Sequence, residues 1–212
     1  MKTENMLNRA YAHWLKDGII EIGLGILFAG VGIFRASIHF AGAKSPTYYW
    51  LVTGLLLFML GYGFGVSRIV KSLKARITYP RTGYMTFKSP KYNYKSILGL
   101  FIFAGILGGL LGMLSTQPNE QKIGVFVPIV QGIVGAAVFI YVAQRIEVKR
   151  LYYLAALSIG IGLVIGALGV GIVLGISFYY LSIGLAQVVT GCVALVQYLR
   201  SHEPVNLNGE NQ

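Results

Sequence analysis

Few side chains in this sequence have the type and setting to do chemistry. Glu21 is the sharpest, a carboxylate about one turn inside a long apolar run, where an ionised group is costly unless it is protonated or paired. A proton or cation site built on it needs a polar partner from another apolar run, and Gln131 and Gln187 are the residues of that type. Plainer readings stand beside this one. Asp17 precedes Glu21 by four residues on the same helical face, so both can face the headgroup region. Glutamine amides in lipid also commonly serve as interhelical hydrogen-bonding groups.

Other signatures are missing. There is no His-Glu-x-x-His, no Gly-x-Ser-x-Gly and no phosphate-binding loop. His13, His39 and His202 fall in different regions, and Cys192 is the single cysteine, so neither an intramolecular disulfide nor a thiolate metal cluster can form within one chain. Arg35 and His39 lie one turn apart at the far end of the first apolar run, where an arginine can reach the interface while its stem stays in hydrocarbon. No metal or cofactor is expected.

The elements that must position these residues follow from composition. Of 212 residues, 55% are hydrophobic and 12% charged, about half the charged share of a soluble domain. The apolar residues are contiguous, and runs of about 18 or more read as membrane-spanning helices. Six candidate spans result, at 18–40, 48–66, 97–114, 123–143, 151–174 and 178–199. The last two form a 49-residue stretch without charge, which as one helix would be about 74 Å long. It must fold back, and Gly175 to Ser177 is the expected place. Before the first span, residues 1–17 show apolar side chains at helical spacing and read as an interfacial amphipathic helix. That span begins too late and runs too long for a signal-peptide core, so it is expected to stay as an anchor.

Orientation follows from the basic residues, which cytoplasmic loops retain. Fifteen of the 18 Lys and Arg fall on one side, leaving Arg35, Lys44 and Lys122 on the other. Both termini, including a flexible tail at 200–212, are therefore expected in the cytoplasm. Glycine is abundant at 28 residues, and small residues let helix backbones approach closely in lipid. The spacing Gly-x-x-x-Gly occurs at 61/65, 105/109, 108/112, 162/166 and 171/175, which we read as internal packing surfaces rather than a homodimer seam. The first and second spans also share identities with the fifth and sixth, such as Gly54/Gly184 and Gly61/Gly191, as a bundle built from repeated helical hairpins would.

The connection at 68–96 carries eight basic residues and no acid. Among them Arg76, Arg81, Lys88 and Lys91 are candidates for anionic lipid headgroups, at about 1 kcal/mol each near the surface. Alternation of apolar and polar residues from Arg76 to Lys88 around Pro80 to Gly83 predicts a short β-hairpin-like loop against the membrane. Positive-inside bias accounts for this charge, so nucleic acid is not an expected partner. Within the loop, Thr78-Tyr79-Pro80-Arg81-Thr82-Gly83-Tyr84 resembles a segment of uncharacterised prokaryotic multi-span membrane proteins. That resemblance implies a prokaryotic plasma membrane and brings no activity with it.

The expected fold class is thus an all-α membrane protein, a six-helix transmembrane bundle occupying 18–199. The expected function is a non-enzymatic structural or accessory subunit of a membrane assembly, with the bilayer, anionic headgroups and a membrane protein or second copy as partners. A small transporter or channel is the alternative, marked by a polar cavity near Gln131 and Gln187. A lipid-acting enzyme using Glu21, Tyr84 and Arg81 is the third.

Overall fold

A computed structural model describes residues 17–77, 120–146 and 148–201. Among these residues the chain is all helical, with five helices: α1 Ile19–Ala41, α2 Pro46–Ile77, α3 Glu120–Ile146, α4 Arg150–Leu168 and α5 Ile172–Ser201. Four of them are long and apolar enough to cross a membrane, with α1, α4 and α5 counted whole and α3 over Gly124–Gln144. The 23 residues of α1 extend about 35 Å, sufficient for a hydrocarbon core of about 30 Å. Residues 1–16 of the expected interfacial helix at 1–17, the expected third span at 97–114, the part of the expected hairpin beyond Ile77 and the part of the expected tail after Ser201 lie outside the described residues.

Two boundaries differ from the sequence reading. The basic connection does not begin at Arg68, because α2 continues as helix through Arg68, Lys71, Lys74 and Arg76 to Ile77. The reversal in the long uncharged stretch lies at Gly169 to Gly171 rather than Gly175 to Ser177. Gly169 and Gly171 have φ of 58° and 87°, a region that disfavours any residue with a Cβ. The Gly169 N–H closes α4 by donating to the Gly166 carbonyl at 3.1 Å, a glycine helix end. Gly175 and Ser177 belong to the first turns of α5, and the Ser177 hydroxyl donates back to the Val173 carbonyl at 2.7 Å. Gly175 is small for another reason: a Cβ there would sit 2.8 Å from the Pro128 ring.

Two antiparallel contacts dominate. In the first, α1 meets α5 along small residues that recur every seven positions: Gly18 faces Gly191, Gly25 faces Gly184, and Gly32 faces Ser177. A Cβ on Gly25 would lie 2.6 Å from the Gly184 carbonyl oxygen, and one on Gly32 2.7 Å from that of Ser177. The two backbones touch. In the second, α3 meets α4 along small residues spaced by four. A Cβ on Gly162 would lie 2.6 Å from the Pro128 carbonyl oxygen, one on Gly166 2.7 Å from that of Val125, and one on Gly132 2.7 Å from that of Ser158.

Gly61 and Gly65 behave otherwise, for a Cβ on either meets nothing among the described residues. Helix α2 packs on α1, and α5 also touches α3 and α4, so the order runs α2, α1, α5, then the α3–α4 hairpin. The core gathers where α3, α4 and α5 meet, around Ala143, Leu151 and Leu154 at one level and Ile165, Tyr179 and Ile183 at another. Large apolar side chains face outward on every helix, among them Leu57, Leu60, Val164, Leu168 and Val189. Such an apolar exterior is what lipid requires.

Candidate functional site

The charged residues of the interior meet at one end of the helices. Asp17 precedes α1, and its Oδ1 accepts from the Ile19 N–H at 3.2 Å, placing negative charge at the positive end of the helix dipole. Its Oδ2 lies 2.8 Å from Lys74 Nζ near the end of α2, and both side chains are buried. Burial pushes the Lys74 ammonium below its ordinary range, while the hydrogen bond and charge of Asp17 pull it back up. One turn further, Glu21 Oε1 accepts from Arg150 Nε at 2.7 Å. Arg150 is the first residue of α4. The start of α1 is therefore tied to α2 on one side and to the α3–α4 hairpin on the other.

Glu21 is 8% exposed, and its second oxygen, Oε2, is buried with no hydrogen-bond partner among the described residues. Gln187 is 2% exposed and its Oε1 is in the same condition. The repeat of the α1–α5 contact relates the two. Phe28 lies three residues after Gly25, Tyr180 three after Ser177, and their rings stack at 5.8 Å on one flank of the seam. Glu21 lies three after Gly18 and Gln187 three after Gly184, one heptad toward the charged end on each helix. They occupy on that flank the places equivalent to Phe28 and Tyr180.

Gln131 is not part of this group. It sits on α3 between Pro128, which packs on Gly175, and Gly135, which packs on Tyr179. Gln187 is eight residues beyond Tyr179, about 12 Å further along α5. Gln131 Oε1 and Arg35 Nε, elsewhere in the molecule, are buried and without hydrogen-bond partners among the described residues. Arg76 is exposed on the last turns of α2, whereas Arg81, Lys88 and Lys91 lie outside the described residues.

Midway along the helices a hydroxyl network ties three of them. Ser158 of α4 shares a hydrogen bond of 2.7 Å with the Tyr179 hydroxyl of α5 and donates at 2.8 Å to the Gly132 carbonyl of α3. Thr190 is bonded within its own helix to the Ala186 and Gln187 carbonyls. A groove of about 310 Å³ opens beside α4 and α5, lined by Leu157, Gly160, Ile161, Val164, Ile165 and Ser182. Its lining is apolar and includes neither Gln131 nor Gln187. No group of three metal-binding side chains occurs among the described residues.

Sequence reasoning points to Glu21 and misses its base. In sequence, Arg150 and Lys74 look like two more charges of the positive-inside bias, and both partners of α1 come from distant parts of the chain. One signal is present: Asp17 and Glu21 share a helical face, and a buried pair of acids calls for bases from neighbouring helices. Against protein-family models, curated proteins and solved structures, the chain finds no match.

Proposed function

We propose that this chain is a six-span plasma-membrane protein of a prokaryote, without enzymatic activity, serving as a structural or accessory subunit of a membrane assembly. The observation that carries this reading is the use of the interior polar groups. Asp17–Lys74, Glu21–Arg150 and Ser158–Tyr179 each join one helix to another, and the groove beside α4 is apolar. Polar groups that tie helices together, rather than line a water path, suit a scaffold.

Connectivity supports the sixth crossing. Lys74 of α2 and Arg150 of α4 both meet the start of α1, so α2 ends and α4 begins at the same end of the helices. Helix α3, which leads into α4, therefore starts at the opposite end. The chain between Ile77 and Glu120 must join opposite ends, and its apolar stretch at 97–114 is about 27 Å long as a helix. Lys71, Lys74, Arg76, Lys149, Arg150 and Arg200 lie toward the end marked by Asp17, and with the fifteen basic residues that the sequence assigns to one side they support a cytoplasmic location for that end and for both termini. There Arg76, Arg81, Lys88 and Lys91 would hold anionic headgroups, and close glycine contacts would set the helix spacing.

A second reading, a small transporter or channel, is favoured by one observation: the amide oxygens of Gln131 and Gln187 are buried and unpartnered among the described residues. Native mass spectrometry of the protein released from its own membranes separates the two. A stoichiometric complex with another membrane protein is expected. A lone chain that conducts ions or a solute after reconstitution would overturn the assembly reading in favour of transport.

A further inference from the structure

We propose that Glu21, Gln187 and Arg150 form a buried proton-binding site, in which the Glu21 carboxyl takes up and releases one proton. The inference holds for either reading above. Three helices converge on one carboxyl group. Arg150 of α4 donates to Oε1 at 2.7 Å, which holds one oxygen of the group and leaves Oε2 as the other. Oε2 is buried and without a partner among the described residues, and the register of the α1–α5 seam sets Gln187, also buried and with an Oε1 unpartnered among them, on the same flank in the place equivalent to Tyr180 beside Phe28.

A carboxylate oxygen beside an amide oxygen is a poor arrangement while the carboxylate is ionised, and a good one once a proton lies between them. With Glu21 protonated, Oε2–H donates to Gln187 Oε1. With Glu21 ionised, a half-turn of the Gln187 amide brings its NH₂ to Oε2. One amide thus satisfies both states. Uptake forms a single O–H bond on Oε2 with a proton drawn from water at the charged end of the helices, and Glu21 loses its charge while Arg150 keeps its own. Release reverses this.

Among the described residues, Lys149 beside Arg150 is exposed, and the other groups of the helices around Glu21 are fixed by their own partners or carry no charge. Asp17 and Lys74 are paired with each other, the Tyr62 hydroxyl of α2 donates to the Gly23 carbonyl, and α5 carries no charged side chain between Ile172 and Leu199. Tyr198 lies further along α5 toward its end. A metal cation at the same two oxygens is disfavoured by the guanidinium already bound to the carboxylate.

Infrared difference spectroscopy of the full chain in lipid nanodiscs, titrated with acid and base, tests the site. The expected result is a protonated-carboxyl band that titrates in the wild type, is absent from Glu21→Gln, and has its midpoint moved by about one pH unit or more in Gln187→Leu, a tenfold change in proton affinity. Gln187→Met serves the same comparison if the leucine variant does not fold. A Glu21 that stays a carboxylate throughout, or an unchanged midpoint in the Gln187 variant, would overturn the proposal. So would a midpoint that moves when sodium replaces a large organic cation at constant ionic strength, which would assign the oxygens to a metal cation instead.

Discussion

The α1–α5 and α3–α4 contacts are both antiparallel and both bring backbone against backbone, yet they differ in what they leave room for. Along α1 and α5 the small residues recur every seventh position, so the positions between them can hold large side chains at the edge of the seam. Phe28 and Tyr180 stack there, and Glu21 and Gln187 occupy the next equivalent places. Along α3 and α4 the small residues recur every fourth position, through Pro128 and Gly132 on one side and Ser158, Gly162 and Gly166 on the other. The polar side chain at that contact is a short hydroxyl, Ser158, and the long one against Gly166 is the apolar Ile129. The spacing of small residues thus bears on where a long polar side chain can stand, and the buried Glu21 and Gln187 stand beside the seven-residue seam.

The comparison can be broken at the charged end first. Lys74→Met removes the ammonium that faces the buried Asp17, and loss of one partner of a buried pair costs about 3–5 kcal/mol. Thermal unfolding in detergent should show this loss, with much of it recovered in Asp17→Asn/Lys74→Met. Equal losses in the single and double variants would mean that the pair does not tie α1 to α2.

Next come the seams themselves. Gly25→Ala and Gly162→Ala each set a Cβ 2.6 Å from a backbone oxygen, an overpacking expected to cost about 1–3 kcal/mol. The two variants should part at the buried carboxyl group: Gly25→Ala should also disturb the infrared signature of Glu21, and Gly162→Ala should leave it alone. Ser158→Ala, which removes the hydrogen bonds to Gly132 and Tyr179, should cost about 1 kcal/mol in the same unfolding measurement. The smallest effect is expected at Gly160→Ala, where a Cβ meets nothing among the described residues and stability should stay within about 0.5 kcal/mol.

Much of the scaffold is legible in the sequence because hydrocarbon thickness fixes the length of an apolar run. The first apolar run covers 18–40 and the helix is Ile19–Ala41. The last reversal falls six residues before its expected place, because a glycine looks the same in sequence whether it makes a turn, as at Gly169, or a close contact, as at Gly175. The Gly162/Gly166 spacing is visible as a motif, but the heptads Gly18/Gly25/Gly32 and Ser177/Gly184/Gly191 are hidden among other glycines. Glu21 stands out as a lone acid in an apolar run. Its partner does not, because Arg150 lies 129 residues away and only the pairing of α1 with α5 and of α3 with α4 brings it near.

The arrangement of ends is the central claim, and side-specific labelling tests it most directly. With Cys192 replaced, single cysteines at Lys44, in the α1–α2 turn, and at Val170, in the α4–α5 turn, should react with an impermeant reagent from one side of the membrane. A cysteine at Lys149, in the α3–α4 turn, should react only from the other. Labelling of all three positions from the same side would contradict the account.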